Sequence, residues 1–315
     1  MTVQNPRILV VGDTTVEQTV KVDAFPEINA VSEAEGCDCL PGGKGTYASV
    51  AVARLGGDAV LCTAIGDDTY ATDLVDYFKA EGVDPRFAVM KRGSSTAVDM
   101  LIKSGDGSRM ISYRGALDKL SPPEVEEAYV SYPDGVILHG RLPSQAIDEA
   151  VKQSAQQNIP LFVASLPDPA KYPLSQIGGC EILVVNSAEA YRCTGIRPAD
   201  QEKCMRACIA LSQRIKAKYV IIRLEERGSF LFDGTFYNFF PALDVPDIAG
   251  VSTDDIFSSA LVLEYLKSGG NIKYACEMAA VVGALYMTRG GGLRAFPGLE
   301  DVKRFMARNG IKLEY

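Results

Sequence analysis

Short runs of consecutive apolar residues alternate with longer stretches whose apolar positions recur every three to four residues, and this alternation fills most of the chain. The continuous runs, residues 8–11, 59–63, 135–138, 161–164, 182–185 and 219–223, predict strands buried on both faces. The periodic stretches, 70–81, 143–156, 201–214 and 272–289, predict the helices that cross between them. Such βα alternation specifies an α/β fold with a mainly parallel central sheet and helices on both faces. Ligands of these sheets sit beyond the carboxyl ends of the strands, which brings Asp13, His139, Asn186 and Arg223 to one rim. Residues 19–39 and 96–114 break the pattern. Their polar alternation and the turn Ser104-Gly105-Asp106-Gly107 suit strands and exclude crossover helices.

Composition narrows the class of partner. Hydrophobic residues make up 47% of the 315 and charged residues 23%, as in ordinary globular proteins. A net charge of −8 argues against a nucleic-acid or membrane-surface role. No apolar run approaches a membrane span, and residues 1–7 lack the core of a signal peptide, so a cytoplasmic protein is expected. The eight cysteines show no pair-of-pairs spacing and His139 is the single histidine, so a zinc site is not expected. Cys37 and Cys39 should share one face of a strand, and Cys204 and Cys208 one face of a helix, as reduced thiols.

Two segments carry chemistry. Ser252-Thr253-Asp254-Asp255 precedes the apolar run 256–263, which places Asp255 in the first turn of a helix. Free backbone N–H groups there form an anion site, and a carboxylate beside it suits phosphoryl transfer. The plain alternative is an ordinary helix cap with an acidic first turn. Gly42-Gly43-Lys44-Gly45-Thr46-Tyr47 opens a second helix, expected over 48–55. Its glycines allow close backbone approach, but the spacing is not that of a Walker A loop. The first strand runs into Gly12-Asp13-Thr14-Thr15 without the dinucleotide-binding glycine pattern.

With Gly42, Gly43, Gly45, Ser49, Gly56 and Gly66 in register, Asn186-Ser187-Ala188-Glu189 after an apolar strand, and Asp255 opening its helix, the chain resembles the ribokinase family of phosphofructokinase B-type carbohydrate kinases. The resemblance runs from the first strand to a last helix near 302–309 and implies a ribokinase-like three-layer fold. It implies one kinase domain over 1–315 with a β-sheet lid from about 13–40 and 94–115, which is often also a homodimer surface. The implied reaction is ATP-dependent phosphorylation of a sugar-like hydroxyl, with Mg²⁺ and an uncertain monovalent cation. Asp255 would be the general base, with an anion hole at Ser252, Thr253 and Asp254. Asn186, Arg223, Glu225 and Gly228 would face the nucleotide, and Glu189 would reach Mg²⁺ through water. Asp13, Thr15, Glu17, Gly42, Gly43, Lys44, Tyr47, Arg114 and Arg141 would surround the sugar.

Departures from the family pattern lie on both sides. Asp254 and Glu225 replace glycines near the phosphates, and the Asp-Thr pair associated with potassium is Ala249-Gly250, with Asp247 nearby. These acids would be tolerated if Asp254 faced solvent or Mg²⁺, or if Arg223 neutralised Glu225. Otherwise the chain would be a silent sugar-binding protein. On the sugar side, Glu17 stands for Asp, Tyr47 for Asn and Arg141 for Glu. Arginine suits carboxylate and phosphate, so an acidic or phosphorylated sugar is the expectation. The alternative pairs Arg141 with a lid acid such as Glu17, Glu33 or Glu35. A nucleoside kinase, with Tyr47 stacked on a base, is a further reading. His139 is expected to be structural.

Overall fold

The continuous apolar runs become the central strands because each has both faces to bury. Ile8 and Val10 of the first strand enter one hydrophobic core. Leu9 and Val11 of the same strand enter another. The computed structural model describes residues 4–248 and 252–313. Its first half contains β1 (Arg7–Val11), β2 (Thr15–Lys21), β3 (Gly36–Gly42), α1 (Lys44–Arg54), β4 (Asp58–Ile65), α2 (Thr69–Ala80), β5 (Val83–Met90), β6 (Val98–Ser104), β7 (Gly107–Tyr113), α3 (Pro122–Ala128), β8 (Gly135–His139) and α4 (Ser144–Gln157). The second half adds β9 (Leu161–Ser165), β10 (Cys180–Asn186), α5 (Ser187–Thr194), α6 (Gln201–Ile215), β11 (Ala217–Arg223), β12 (Gly228–Phe232), β13 (Tyr237–Pro241), α7 (Asp254–Lys267), α8 (Ile272–Met287) and α9 (Leu299–Arg308).

The large sheet has nine strands in the order β13-β12-β11-β10-β9-β8-β1-β4-β5. β12 and β13 run antiparallel to their neighbours, and the other pairings are parallel. Helices α1, α2, α7 and α8 cover one face and α3, α4, α5 and α6 the other, giving three layers. From β1 the chain builds outward through β4 and β5, then returns to β8 on the other side. The crevice beyond β1 and β8 is therefore the topological switch point, where ligands bind in such sheets.

The smaller sheet has the order β3-β2-β6-β7 and is made by the two segments that broke the alternation. Three strands of the large sheet were not foreseen. β5 lacks a continuous apolar run, and β12 and β13 form an antiparallel extension outside the βα pattern. Helix α1 starts at Lys44 rather than at 48, because Gly43 acts as its N-cap with φ 93°. Among the described residues no helix is long and apolar enough to cross a membrane. Cys37 and Cys39 are exposed, and the other six cysteines are buried free thiols.

Candidate active site

The sugar side is built where the glycine loop lies across the β1–β2 turn. A Cβ on Gly43 would sit 2.5 Å from the Asp13 carbonyl, and one on Gly45 would sit 2.6 Å from Gly12. Only bare backbone permits this approach. The Gly45 N–H then donates to the Asp13 carbonyl at 2.9 Å, fixing the loop above the switch point. Gly42 closes β3 against Thr15 and Glu17. Asp13 is fully buried, and neither carboxylate oxygen has a hydrogen-bond partner. Burial raises its pKa, although Arg141 Nη1 lies 3.6 Å away and opposes the rise. His139 is also fully buried; desolvation, with Lys44 adding to it, pushes its pKa down to about 3, so the ring is neutral. Its Nδ1 lies 3.4 Å from Ser165 Oγ, and its Nε2 is buried without a partner.

For Arg141 the alternative of a pairing with an acid of the smaller sheet holds, although the acid is Asp99 of β6 and not Glu17, Glu33 or Glu35. The guanidinium donates from Nη2 and Nη1 to the two Asp99 oxygens at 2.7 and 3.0 Å, and also to Ser112 of β7. Burial opposes ionisation of Asp99, but the hydrogen bonds from Arg141 and Ser112 outweigh it and hold its pKa below the usual value. Glu17 instead accepts from the Tyr47 hydroxyl at 2.7 Å, and the Tyr47 ring stands edge-on to Phe296. Arg114 bonds Asp118 at 2.6 Å and donates to the Arg141 carbonyl at 3.3 Å, so it braces Arg141. Asp99 was missed by sequence reasoning. Its signal was faint: one acid in an alternating lid strand, only 4% exposed in the fold.

Asp255 and Lys44 occupy the centre. Asp255 lies in the first turn of α7, its side chain 17% exposed, with Oδ1 buried and lacking a hydrogen bond. Lys44 Nζ approaches that oxygen to 3.9 Å. Desolvation raises the Asp255 pKa to about 6; Lys44 pulls it down, while Asp254, Asp13 and Glu189 push it up. For Lys44, burial lowers the pKa, but Asp255, Glu189, Asp254 and Asp13 together raise it further. Lys44 thus lies among four carboxylates and joins the two sides of the cleft, a wider placement than the sugar side alone.

The side expected to take the nucleotide is a cleft of about 630 Å³ lined by Asn186, Arg223, Glu225, Gly228, Thr253 and Asp254 among others. That volume is typical of small-molecule sites. Arg223 ends β11, 8% exposed, with its guanidinium carbon 3.9 Å from the Phe257 ring centroid. Its Nη2 donates to Thr253 Oγ1 at 2.7 Å, and its Nε lies 3.6 Å from Asp254 Oδ1. Asn186 and Glu189 form a reciprocal capping box on α5. Asn186 Nδ2 nevertheless turns out of the cap and donates to Asp254 Oδ2 at 3.1 Å. Asp254, its side chain 24% exposed, is thus engaged by Asn186 and Arg223. Ser252 Oγ accepts from the Asp254 N–H at 3.2 Å. Arg223 pairs with Asp254 rather than Glu225, whose carboxylate accepts from Ser187 at 3.1 Å. Glu225 keeps a left-handed backbone, φ 50°, of the kind a glycine adopts freely. At Gly228 a Cβ would meet the Phe240 carbonyl at 2.1 Å, so the turn into β12 requires glycine. Ala249 and Gly250, where the potassium-associated pair was sought, lie outside the described residues.

Among the described residues no three or more metal-ligating side chains cluster. Mg²⁺ needs less, since it keeps several waters and takes one or two carboxylates with substrate phosphates. Glu189 fits that demand: burial raises its pKa, Lys44 lowers it, and its carboxylate accepts a long hydrogen bond of 3.3 Å from the Asn186 N–H.

Comparison with known proteins agrees with this architecture. Residues 5–297 match the pfkB family of carbohydrate kinases. The bifunctional ribokinase/ribose-5-phosphate isomerase A of Fructilactobacillus sanfranciscensis is 26% identical over 307 residues, covering 94% of this chain and 55% of that protein, so the chain spans about half of it. The ribokinase of Staphylococcus aureus is 24% identical over 303 residues, covering 95% of this chain and 99% of its own. The structure of Arabidopsis thaliana ribokinase complexed with ribose and ATP superposes with a TM-score of 0.84 at 19% identity, covering 98% of this chain and 100% of that one. The chain belongs to the pfkB family of carbohydrate kinases and is a sugar kinase.

Proposed function

We propose that this kinase transfers the terminal phosphate of ATP to one hydroxyl of a neutral, hydroxyl-rich sugar, with Asp255 as general base. The observation that carries the reading is the buried Asp255 oxygen without a hydrogen bond, beside a lysine and on the same rim as Asp13, whose oxygens also lack hydrogen bonds. A carboxyl with a pKa of about 6 is ionised at neutral pH yet basic enough to take a hydroxyl proton. The freed oxygen attacks the terminal phosphorus in line, the bond to the bridging oxygen breaks, and ADP departs. Lys44 and the N–H groups of α7's first turn compensate the charge that develops on the phosphoryl oxygens. Glu189 would hold Mg²⁺ through water, and that ion supplies charge neutralisation on the nucleotide phosphates.

Asp13, Glu17 and Gly42–Gly43 form the sugar side, with Thr15 and Tyr47 beside them. Arg141 was the reason to expect an acidic sugar. Its guanidinium is already matched bidentately by Asp99 and lies close to Asp13, so it brings no unbalanced positive charge. Buried carboxylate oxygens with open lone pairs suit sugar hydroxyls and disfavour another anion. A lid-to-lid homodimer belongs to the same reading, supported by the exposed Met110, Ile111 and Tyr113 of β7; the mass in solution tests it.

The decisive assay follows ADP release with a panel of neutral and acidic sugars for the wild type and Asp255→Asn. The expected outcome is turnover on a neutral sugar and a loss of about 10²–10⁴-fold in the variant with nucleotide binding retained. Turnover confined to acidic sugars would reject the substrate reading. Bound nucleotide with no turnover on any sugar would point to a silent binder.

A further inference from the structure

The carboxylate of Asp254 has an unusual set of neighbours for an acid in the first turn of a helix. Arg223 reaches it from the end of β11, with Nε 3.6 Å from Oδ1. Asn186 reaches it from the end of β10, with Nδ2 donating to Oδ2 at 3.1 Å. Lys44, at the start of α1, is close enough for Asp254 to raise its pKa. Asp254 itself is the first residue of α7, where helix N–H groups and the macrodipole favour an anion. A guanidinium, an amide N–H, an ammonium and a helix N-terminus converging from four elements are the donors expected around a phosphoryl group. Here one carboxylate of the chain engages two of them, Arg223 and Asn186, with Lys44 nearby.

Arg223 adds an independent sign that a ligand belongs there. It is 8% exposed, and its Nε is buried without a hydrogen bond. Its guanidinium is packed over Phe257 and tied by Nη2 to Thr253, so it is held in one orientation along the wall of the cleft. A buried cation with an unused donor is costly unless an anion completes it. Asp254 balances the charge at 3.6 Å but makes no hydrogen bond to Nε. A phosphate oxygen, with its greater charge and three acceptor positions, would meet that donor better.

We infer that Asp254 is an internal stand-in for the terminal phosphate of the donor nucleotide, keeping Arg223 and Asn186 in phosphate-binding posture and yielding them when a triphosphate enters. This rests on the kinase reading above but goes beyond it, because it assigns Arg223 as the residue that distinguishes triphosphate from diphosphate. The wild type then gains less from a terminal phosphate than a chain with glycine at 254 would, since Arg223 and Asn186 must first leave Asp254. Selectivity for ATP over ADP is suppressed by the chain's own carboxylate.

The test is calorimetric titration of ATP and ADP, each with Mg²⁺, into the wild type, Asp254→Gly, Asp254→Asn and Asp254→Gly/Arg223→Met, with folding checked by thermal unfolding. The wild type should bind the two nucleotides within about threefold of each other, while Asp254→Gly should bind ATP about tenfold more tightly and ADP within about twofold of wild type. Asp254→Asn, which preserves side-chain shape, should shift the ratio in the same direction and keeps the test valid if the double variant does not fold. The double variant should lose the gain. An unchanged ATP-to-ADP ratio in both single variants, or a gain that survives removal of Arg223, overturns the inference while leaving the kinase reading intact. Failure of every folded variant to bind either nucleotide overturns both.

Discussion

The two sides of the cleft treat charge in opposite ways. On the sugar side, Asp13 is buried with both oxygens lacking hydrogen bonds, and Asp255 Oδ1 is in the same condition. On the nucleotide side the acids are engaged within the chain: Asp254 with Arg223 and Asn186, Glu225 with Ser187. Open acceptors in a buried site are destabilising to the fold and mark where ligand hydroxyls complete the structure. Paired acids stabilise the cleft without a ligand, and an incoming polyphosphate must compete with them. On the proposed reading, the sugar side would gain on binding and the nucleotide side would exchange partners.

Arg141 is the hinge of this contrast, since it ties the lid to the sheet while facing Asp13. Arg141→Ala would leave Asp99, 4% exposed, and Asp13, fully buried, without their guanidinium. Removing one partner of a buried pair costs about 3–5 kcal/mol, and that range is the expected loss in denaturant unfolding. A loss below about 0.5 kcal/mol, typical of an exposed pair, would mean the pair does not hold the lid. Asp99→Asn should recover part of the loss in the double variant, because no unpaired lid charge then remains.

Asp255 comes next, through the pH dependence of stability. Its folded pKa of about 6 lies above the ordinary 3.8, so the folded state holds the proton more tightly than the unfolded chain does. Stability contributed by the neutral form is fully present below about 3.8 and is lost as pH rises through about 6. At pH 8 the ionised group therefore destabilises the fold by an amount on the order of 3 kcal/mol, which Asp255→Asn should remove. The variant should unfold at a higher temperature than wild type at pH 8, with the gap closing toward pH 4. Wild-type turnover should rise with pH through about 6, since the base works only when ionised. An equal gap at both pH values would place the Asp255 pKa in the ordinary range.

Asp13→Asn separates the two sides directly. Replacing one acceptor oxygen with a donor should weaken sugar binding about 10–100-fold, the value of one or two hydrogen bonds to a charged group. Nucleotide affinity should not move. Parallel losses for both ligands would show that Asp13 supports the cleft as a whole.

What the sequence disclosed follows from which physics is local. The rim residues were legible because strand ends are set by runs of apolar residues, and the glycine loop because bare backbone is needed where two turns touch at Gly43 and Gly45. The lid was legible as two segments unable to form crossover helices. Pairings across the fold were not. Asp99 became the partner of Arg141 through lid packing that brings residues 42 positions apart together, and nothing in the alternation of β6 singles it out. For Asp254 solvent or Mg²⁺ was named only as a condition of tolerance, whereas the approach of β10 and β11 to α7 supplies its partners. The antiparallel strands β12 and β13 escaped because they lie outside the βα repeat.

The smallest expected effect tests whether charge or backbone shape sets the nucleotide side. Glu225 holds φ 50°, a conformation that costs a residue with a Cβ about 1–2 kcal/mol. Glu225→Gly relieves that strain but increases the freedom of the unfolded chain by about 0.5–1 kcal/mol, so the melting temperature should move little. ATP affinity should improve by about 1 kcal/mol, roughly fivefold, because a carboxylate leaves the cleft wall. Glu225→Ala separates the causes, since it removes the charge and keeps the Cβ. Equal gains in ATP affinity from Gly and Ala would assign the effect to repulsion between Glu225 and the phosphates. A gain from Gly alone would assign it to close approach of the phosphates to the bare turn, and the nucleotide side would then be limited by shape rather than by charge.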